Sequence, residues 1–105
     1  MTDKKIVLTT TGSREEAQKI ARSLVERKLA ACVNIVGPIE SVYRWKGAVE
    51  TSDEFLLVIK TTGAAYERLR DLIRLLHSYE VPECVQLSIE DGLPKYLEWI
   101  GESVE

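Results

Sequence analysis

The amino-acid sequence predicts an α+β fold in which two amphipathic helices cover one face of a four-stranded antiparallel sheet. Three observations predict it. Segments with helical spacing alternate with β-branched, strand-like runs in the order strand, helix, strand, strand, helix, strand, with a short terminal helix after them. The chain has 105 residues, the size of one domain, so residues 1–105 are read as a single core. At 45% hydrophobic and 30% charged, its composition excludes a disordered, collagen-like or disulfide-dense chain.

Ile6-Val7-Leu8 followed by Thr9-Thr10-Thr11 reads as a buried strand stopped by Gly12. Ser13 with Glu16 three positions on is a capping box, and Ala17, Ile20, Ala21, Leu24 and Val25 then follow helical spacing as far as Lys28 or Leu29. Ala31 to Val36 is a strand that Gly37-Pro38 interrupts, and Ile39 to Trp45 resumes it up to a turn at Lys46-Gly47. The next strand carries a polar stretch, Glu50 to Glu54, and becomes deeply apolar only over Phe55 to Ile59. Tyr66, Leu69, Leu72, Ile73 and Leu76 mark the second helix, ending at His77. Pro82 enforces extension, and Val85, Leu87 and Ile89 alternate with Cys84, Gln86 and Ser88, which predicts a strand with one covered face closed by Gly92. Pro94 opens a short helix with Tyr96, Leu97, Trp99 and Ile100.

This order is the ferredoxin-like βαββαβ sandwich. Both principal helices go to one sheet face, and only the small C-terminal helix is left for the other. An uncovered apolar face and an overlong hairpin from Ile39 to Ile59 predict an oligomer, since bare edges and apolar patches invite pairing.

The formal net charge of −3 and the sequence pI near 5.3 argue against a bulk grip on a phosphate backbone. No nucleic-acid partner is expected, and Glu54 to Ile59 supplies one Phe where an RNA-binding sheet would place stacking aromatics in a basic run. No unbroken apolar run is longer than that of Phe55 to Ile59, far below the ~20 residues of a membrane span. No secretory h-region is seen, and Cys32 and Cys84 form no CxxC, so a cytoplasmic location with both cysteines as thiols is expected. Thr11-Gly12-Ser13 stands where a heavy-metal chaperone of this topology would carry CxxC, and Arg14 lacks the glycine-rich loop of an acylphosphatase. No nucleophile with an adjacent base can be picked out, so no enzyme is expected.

His77, the only histidine, lies close in sequence to Glu80 and Glu83, a ligand set that suits copper or zinc. A histidine at a helix end also pairs with the terminal carbonyls and the helix dipole, and the sequence leaves both roles open. Cys32 offers a soft thiolate or a small buried hydrophobe. Cys32 and His77 belong to opposite ends of the sheet, ~17 Å apart for a five-residue strand, so a site shared by both must cross a subunit boundary. Cys84 is a weaker candidate on the alternate face from Val85 and Leu87. Tyr43, Trp45, Tyr79, Tyr96 and Trp99 lie outside the two principal helices and suit an interface or a small-molecule cleft. Lys60, with Glu83 brought near it, would bind an anionic ligand or form a structural pair.

Ala30-Ala31-Cys32-Val33-Asn34-Ile35, Tyr43-Arg44-Trp45-Lys46-Gly47, Lys60-Thr61 and His77-Ser78-Tyr79-Glu80-Val81-Pro82-Glu83 together resemble the CutA family, the divalent-cation tolerance proteins. The resemblance runs from the first strand to the Tyr96-Leu97-Glu98-Trp99 helix. It implies a compact homotrimer similar in architecture to PII signalling proteins, with a role in tolerance to copper and other divalent metals. The family pattern usually has a Pro after the His; Ser78 stands there and is expected to loosen the turn. Two functions are consistent with this reading. One is a cytoplasmic trimer that binds a divalent cation at intersubunit sites through His77, Glu80, Glu83 and Cys32. The other is a PII-like adaptor whose cleft takes a small anionic metabolite and which signals to a protein partner. Neither requires an obligatory cofactor.

Overall fold

In the computed structural model, which describes residues 2–105, seven elements follow one another. They are β1 (Lys4–Thr11), α1 (Arg14–Glu26), β2 (Cys32–Trp45), β3 (Ala48–Thr62), α2 (Tyr66–Leu76), β4 (Val85–Ser88) and α3 (Pro94–Ser103). The strands form one antiparallel sheet in the order β2-β3-β1-β4. Among the described residues no helix is long and apolar enough to cross a membrane.

Strand alternation sorts the sheet into two faces. Val7, Leu57 and Ile59 are fully buried and meet Ala17, Ile20 and Leu24 of α1 and Leu69 and Ile73 of α2, so this face carries the core. The opposite face holds Ile6, Leu8, Val36, Leu56 and Val58, joined through the β1–β4 register by Val85 and Leu87. The terminal helix packs against β1 and β3 at the Lys4 end of that face, burying Ile100 and placing Gly101 beside the Lys4 side chain. The rest stays open, and Val36, Val85 and Leu87 are about half exposed.

Three expectations are corrected in detail. The first helix ends at Glu26, not at Lys28 or Leu29, because Lys28 turns left-handed at φ 59°. Its N–H donates to Val25 O at 3.0 Å while Leu29 N–H donates to Leu24 O at 2.9 Å, a Schellman closure made without glycine. The fourth strand stops at Ser88, before Gly92, and its apolar side chains face away from the helices. Cys84, on the alternate side, is the residue of that segment that packs against the core.

The interrupted second strand is confirmed as a register shift between Val36 and Ile39. Beyond it the β2–β3 pair outruns its neighbour: Thr11 is the last residue of β1 and pairs with Phe55, whereas β2 and β3 stay paired as far as Trp45 and Ala48. Lys46 at φ 49° and Gly47 at φ 81° supply the two left-handed positions of the tight reversal. The result is a projecting ribbon that draws the molecule out to 44 Å along its long axis against 25 and 22 Å across.

Candidate functional site

Where β1 ends and the ribbon continues, a step is left beside β3, and the segment after α2 closes its other side. The groove between them has a volume of about 740 Å³. Four carboxylates line it, Glu50, Glu54, Glu80 and Glu83, together with the rings of Tyr43, Trp45 and Tyr79, and it has no lysine, arginine or histidine in its wall. Glu54 sits deepest, with 8% of its surface exposed. The Tyr79 hydroxyl donates to Glu54 Oε2 at 2.8 Å. Burial first, and then this carboxylate acceptor, push the Tyr79 phenol up to about 12, so it stays a protonated donor over the physiological range. A Cβ at Gly12 would lie 3.1 Å from the Tyr79 hydroxyl, so glycine there lets the phenol reach across the end of β1.

The segment that carries Tyr79 is held by its neighbours in the chain. His77 is buried, and its Nε2 donates to Thr10 O at 2.7 Å while Nδ1 accepts from the Tyr79 N–H at 3.0 Å. These partners assign the tautomer with the proton on Nε2 and engage both ring nitrogens. Ser78 N–H donates to Glu16 Oε2 at 2.6 Å, and the Ser78 hydroxyl donates to Glu16 Oε1 at 3.0 Å. Ser78 therefore fastens the turn that it was expected to loosen, and it does so partly with an N–H that proline lacks. The capping box is half realised for the same reason: Ser13 Oγ accepts from Glu16 N–H at 3.1 Å, but the Glu16 carboxylate is turned toward Ser78.

The expected metal ligands do not come together within one chain. Among the described residues no three His, Cys, Asp or Glu side chains are close enough to hold one ion. A metal at His77 would have to displace one of two backbone hydrogen bonds, so its position at the end of α2 is a structural one. Cys32 pairs across the sheet with Lys60 on the open face, whereas Thr10, the partner of His77, pairs with Leu56. Those two places are four residues apart along β3, about 13 Å. Glu80 and Glu83 do share the groove, and both are exposed.

Lys60 and Glu83 are not partners. Lys60 Nζ donates to Asn34 Oδ1, 4.0 Å from which lies the Cys32 thiol, while Glu83 lines the groove near Thr10. The aromatics divide as well: Tyr43, Trp45 and Tyr79 are groove residues, but Tyr96 and Trp99 form a tilted pair 5.7 Å apart on α3, outside it. Burial pushes the Cys84 thiol up, which fits its packing role. The residues that sequence reasoning missed are Glu16, Glu50 and Glu54. Glu50 and Glu54 bound the polar stretch that interrupts the third strand, and their shared parity was the available signal.

This geometry can be set beside known proteins. A family model described as CutA1 divalent ion tolerance protein matches residues 5–103. The chain belongs to the CutA1 family. It is 48% identical over 98 residues to a divalent-cation tolerance protein CutA of Thermus thermophilus, covering 93% of this chain and 95% of that one. It is also 48% identical over 98 residues to a chloroplastic CutA of Arabidopsis thaliana, where it spans only 54% of the relative's length. A solved structure of the Thermus thermophilus divalent cation tolerance protein superposes with a TM-score of 0.95 at 46% identity, over 97% of this chain and 99% of that one. The mixed α+β fold with its four-stranded antiparallel sheet is therefore that of CutA1 structures, and the family and its Thermus thermophilus member are named for divalent-cation tolerance rather than for an enzymatic activity.

Proposed function

We propose that the chain acts in divalent-cation tolerance, copper included, as a homotrimer that holds the cation at subunit boundaries, with Glu80 and Glu83 as this chain's ligands. The observation that carries the proposal is the groove wall, four carboxylates with no basic side chain among them. Oxygen donors suit divalent cations, and their negative field concentrates cations at the groove. Because the described residues of one chain supply no closed set of three ligands, the remaining donors come from a neighbouring subunit or from water. His77 and Cys32 stand outside this set, His77 because both of its ring nitrogens are engaged and Cys32 because it lies about 13 Å away along the sheet.

The half-exposed Val36, Val85 and Leu87 support the trimer, since a partner would cover an apolar face that one chain leaves open. Lys60 on that face and Tyr96 and Trp99 on α3 belong to the same proposed interface. The strand order β2-β3-β1-β4 with both principal helices on one face supports the ferredoxin-like description and a PII-like assembly. A cytoplasmic location is part of this reading and rests on the two cysteines, which are free thiols. The adaptor reading with an anionic metabolite is not favoured, because the groove offers an anion four like charges and no counter-charge.

Calorimetric titration with copper and with zinc tests the proposal. The Glu80→Gln/Glu83→Gln double variant should bind at least tenfold more weakly, while His77→Ala, provided that it folds, should lose less. Unchanged affinity in the double variant refutes the assignment of the site.

A further inference from the structure

His77 is a buried titratable side chain that serves as no ligand, and its ring holds the wall of the groove in only one protonation state. The side chain has no exposed surface, and its hydrogen-bond partners all belong to the same chain. In the neutral ring Nε2 donates to Thr10 O at 2.7 Å and Nδ1 accepts from the Tyr79 N–H at 3.0 Å. An imidazolium is a donor at both nitrogens. A proton taken up from solvent by the Nδ1 lone pair would face the Tyr79 N–H across 3.0 Å, donor against donor, and one of the two must leave. The Nε2 bond to Thr10 is the same in both states, so the ring stays and the Ser78–Tyr79 peptide gives way.

The replacement acceptor is already in place. Glu16 Oε2 lies 4.0 Å from Nδ1, a contact that is no ion pair while the ring is neutral, and the same oxygen accepts from the Ser78 N–H at 2.6 Å. Closing that gap to the roughly 2.8 Å of a charge-assisted hydrogen bond draws the carboxylate off Ser78. The other charged groups around the ring are turned elsewhere. Arg14, at the start of α1, reaches Gly37 O and the Phe55 ring, and Glu54 of β3 accepts from the Tyr79 hydroxyl. Arg74, in the last turn of α2, is exposed, and β1 presents the Thr10 carbonyl. The Tyr79 ring lies 4.7 Å from the imidazole, tilted by 45°, a neighbour that an imidazolium keeps as readily as an imidazole, so the exchange falls on the backbone.

We propose that His77 is an acid switch for the groove wall: a proton on Nδ1 releases the Tyr79 N–H, captures the Glu16 carboxylate from Ser78, and so unfastens the segment from Tyr79 to Glu83 from α1 and from the end of α2. Histidine is the side chain suited to such a switch, because its charge changes near neutral pH. The switch adds regulation to the divalent-cation reading and rests on it only for what the groove holds. The wall's response to acid is measured without metal, so either reading can fail alone.

The test is nuclear magnetic resonance of the full chain, following the ring nitrogens of His77 and the amides of Ser78 and Tyr79 from about pH 8 down to about pH 5. The ring should begin with its proton on Nε2. As Nδ1 takes up the second proton, both amides should move upfield along the same curve, since each loses its acceptor. His77→Asn offers Tyr79 an acceptor that does not titrate, and should abolish the movement of its amide. Glu16→Gln keeps an acceptor for Ser78 without the charge, and should hold the Ser78 amide still while Tyr79 continues to respond. This second variant and the unaltered protein decide the matter if His77→Asn fails to fold. A ring that takes up its proton while the Tyr79 amide stays in place overturns the proposal. So does a ring that stays neutral until the protein unfolds, or a Tyr79 amide that moves equally in His77→Asn.

Discussion

Thr9 carries the one buried side-chain oxygen that lacks a hydrogen-bond partner among the described residues. It lies on the helix-covered face between Val7 and Thr11, fully buried, and a hydroxyl desolvated there gains nothing in return. Thr11 and Thr61 differ, since their hydroxyls donate to Ser13 O at 2.8 Å and Leu29 O at 2.6 Å. Valine has nearly the shape of threonine without the hydroxyl. Thr9→Val should therefore raise stability by about 1 kcal/mol in urea denaturation at fixed chain concentration, and Thr61→Val should lower it. Tyr79 adds a pH dependence. Its folded pKa is about 12 against an ordinary value of 10.0, so its share of stability is intact below pH 10 and declines as pH rises toward 12. Tyr79→Phe should remove that part of the alkaline decline, which paired denaturation curves between pH 9 and 12 would show. None of these roles is written in local sequence. His77 was legible as a helix end and as a ligand alike, and what decides between them is the Thr10 carbonyl, 67 positions away along the chain.

At the scale of elements, the joint between α1 and the segment after α2 rests on Glu16. Its carboxylate takes two hydrogen bonds from Ser78, and its own N–H is bound by Ser13, so one residue starts a helix and fixes the wall of the groove. Glu16→Ala should cost about 2 kcal/mol and Ser78→Ala about 1 kcal/mol, because the second variant keeps the backbone N–H donor. Glu16→Ala should also weaken copper binding, by letting the Tyr79–Glu83 segment drift; a normal copper titration would show that the segment is held by His77 alone. The helices and the first three strands were legible, since period-3.6 and β-branched runs extend over many residues. Two boundaries were not. The end of α1 depends on Lys28 adopting a left-handed backbone that Gly would have announced, and the face of β4 depends on register with β1, because alternation names two faces without saying which one the helices cover. Glu54 escaped for a related reason: only the stopping of β1 at Thr11 turns a polar strand residue into the floor of a groove.

For the whole molecule the open face carries the proposed assembly. Ile6, Leu8, Leu56 and Val58 are partly covered, and Val36, Val85 and Leu87 remain 45–50% exposed, so the face is continuous from β2 to β4 apart from the end that α3 occupies. Burying such a face against two neighbours stabilises by roughly 25 cal/mol per Å² of apolar surface, and the transition midpoint then rises with chain concentration. Leu87 separates folding from assembly. Its side chain is half exposed and points away from the helices, so Leu87→Asp leaves the core of a single chain as it is. In a closed trimer the same aspartate would be desolvated on every copy. Light scattering should report about three times the 11.9 kDa chain mass for the unaltered protein and a single chain for Leu87→Asp, with the far-ultraviolet dichroism of the two alike. If Leu87→Asp stays trimeric, the interface lies elsewhere, along the ribbon or the edge of β2. If it unfolds instead, the chain has no stable monomer and the interface is part of its core.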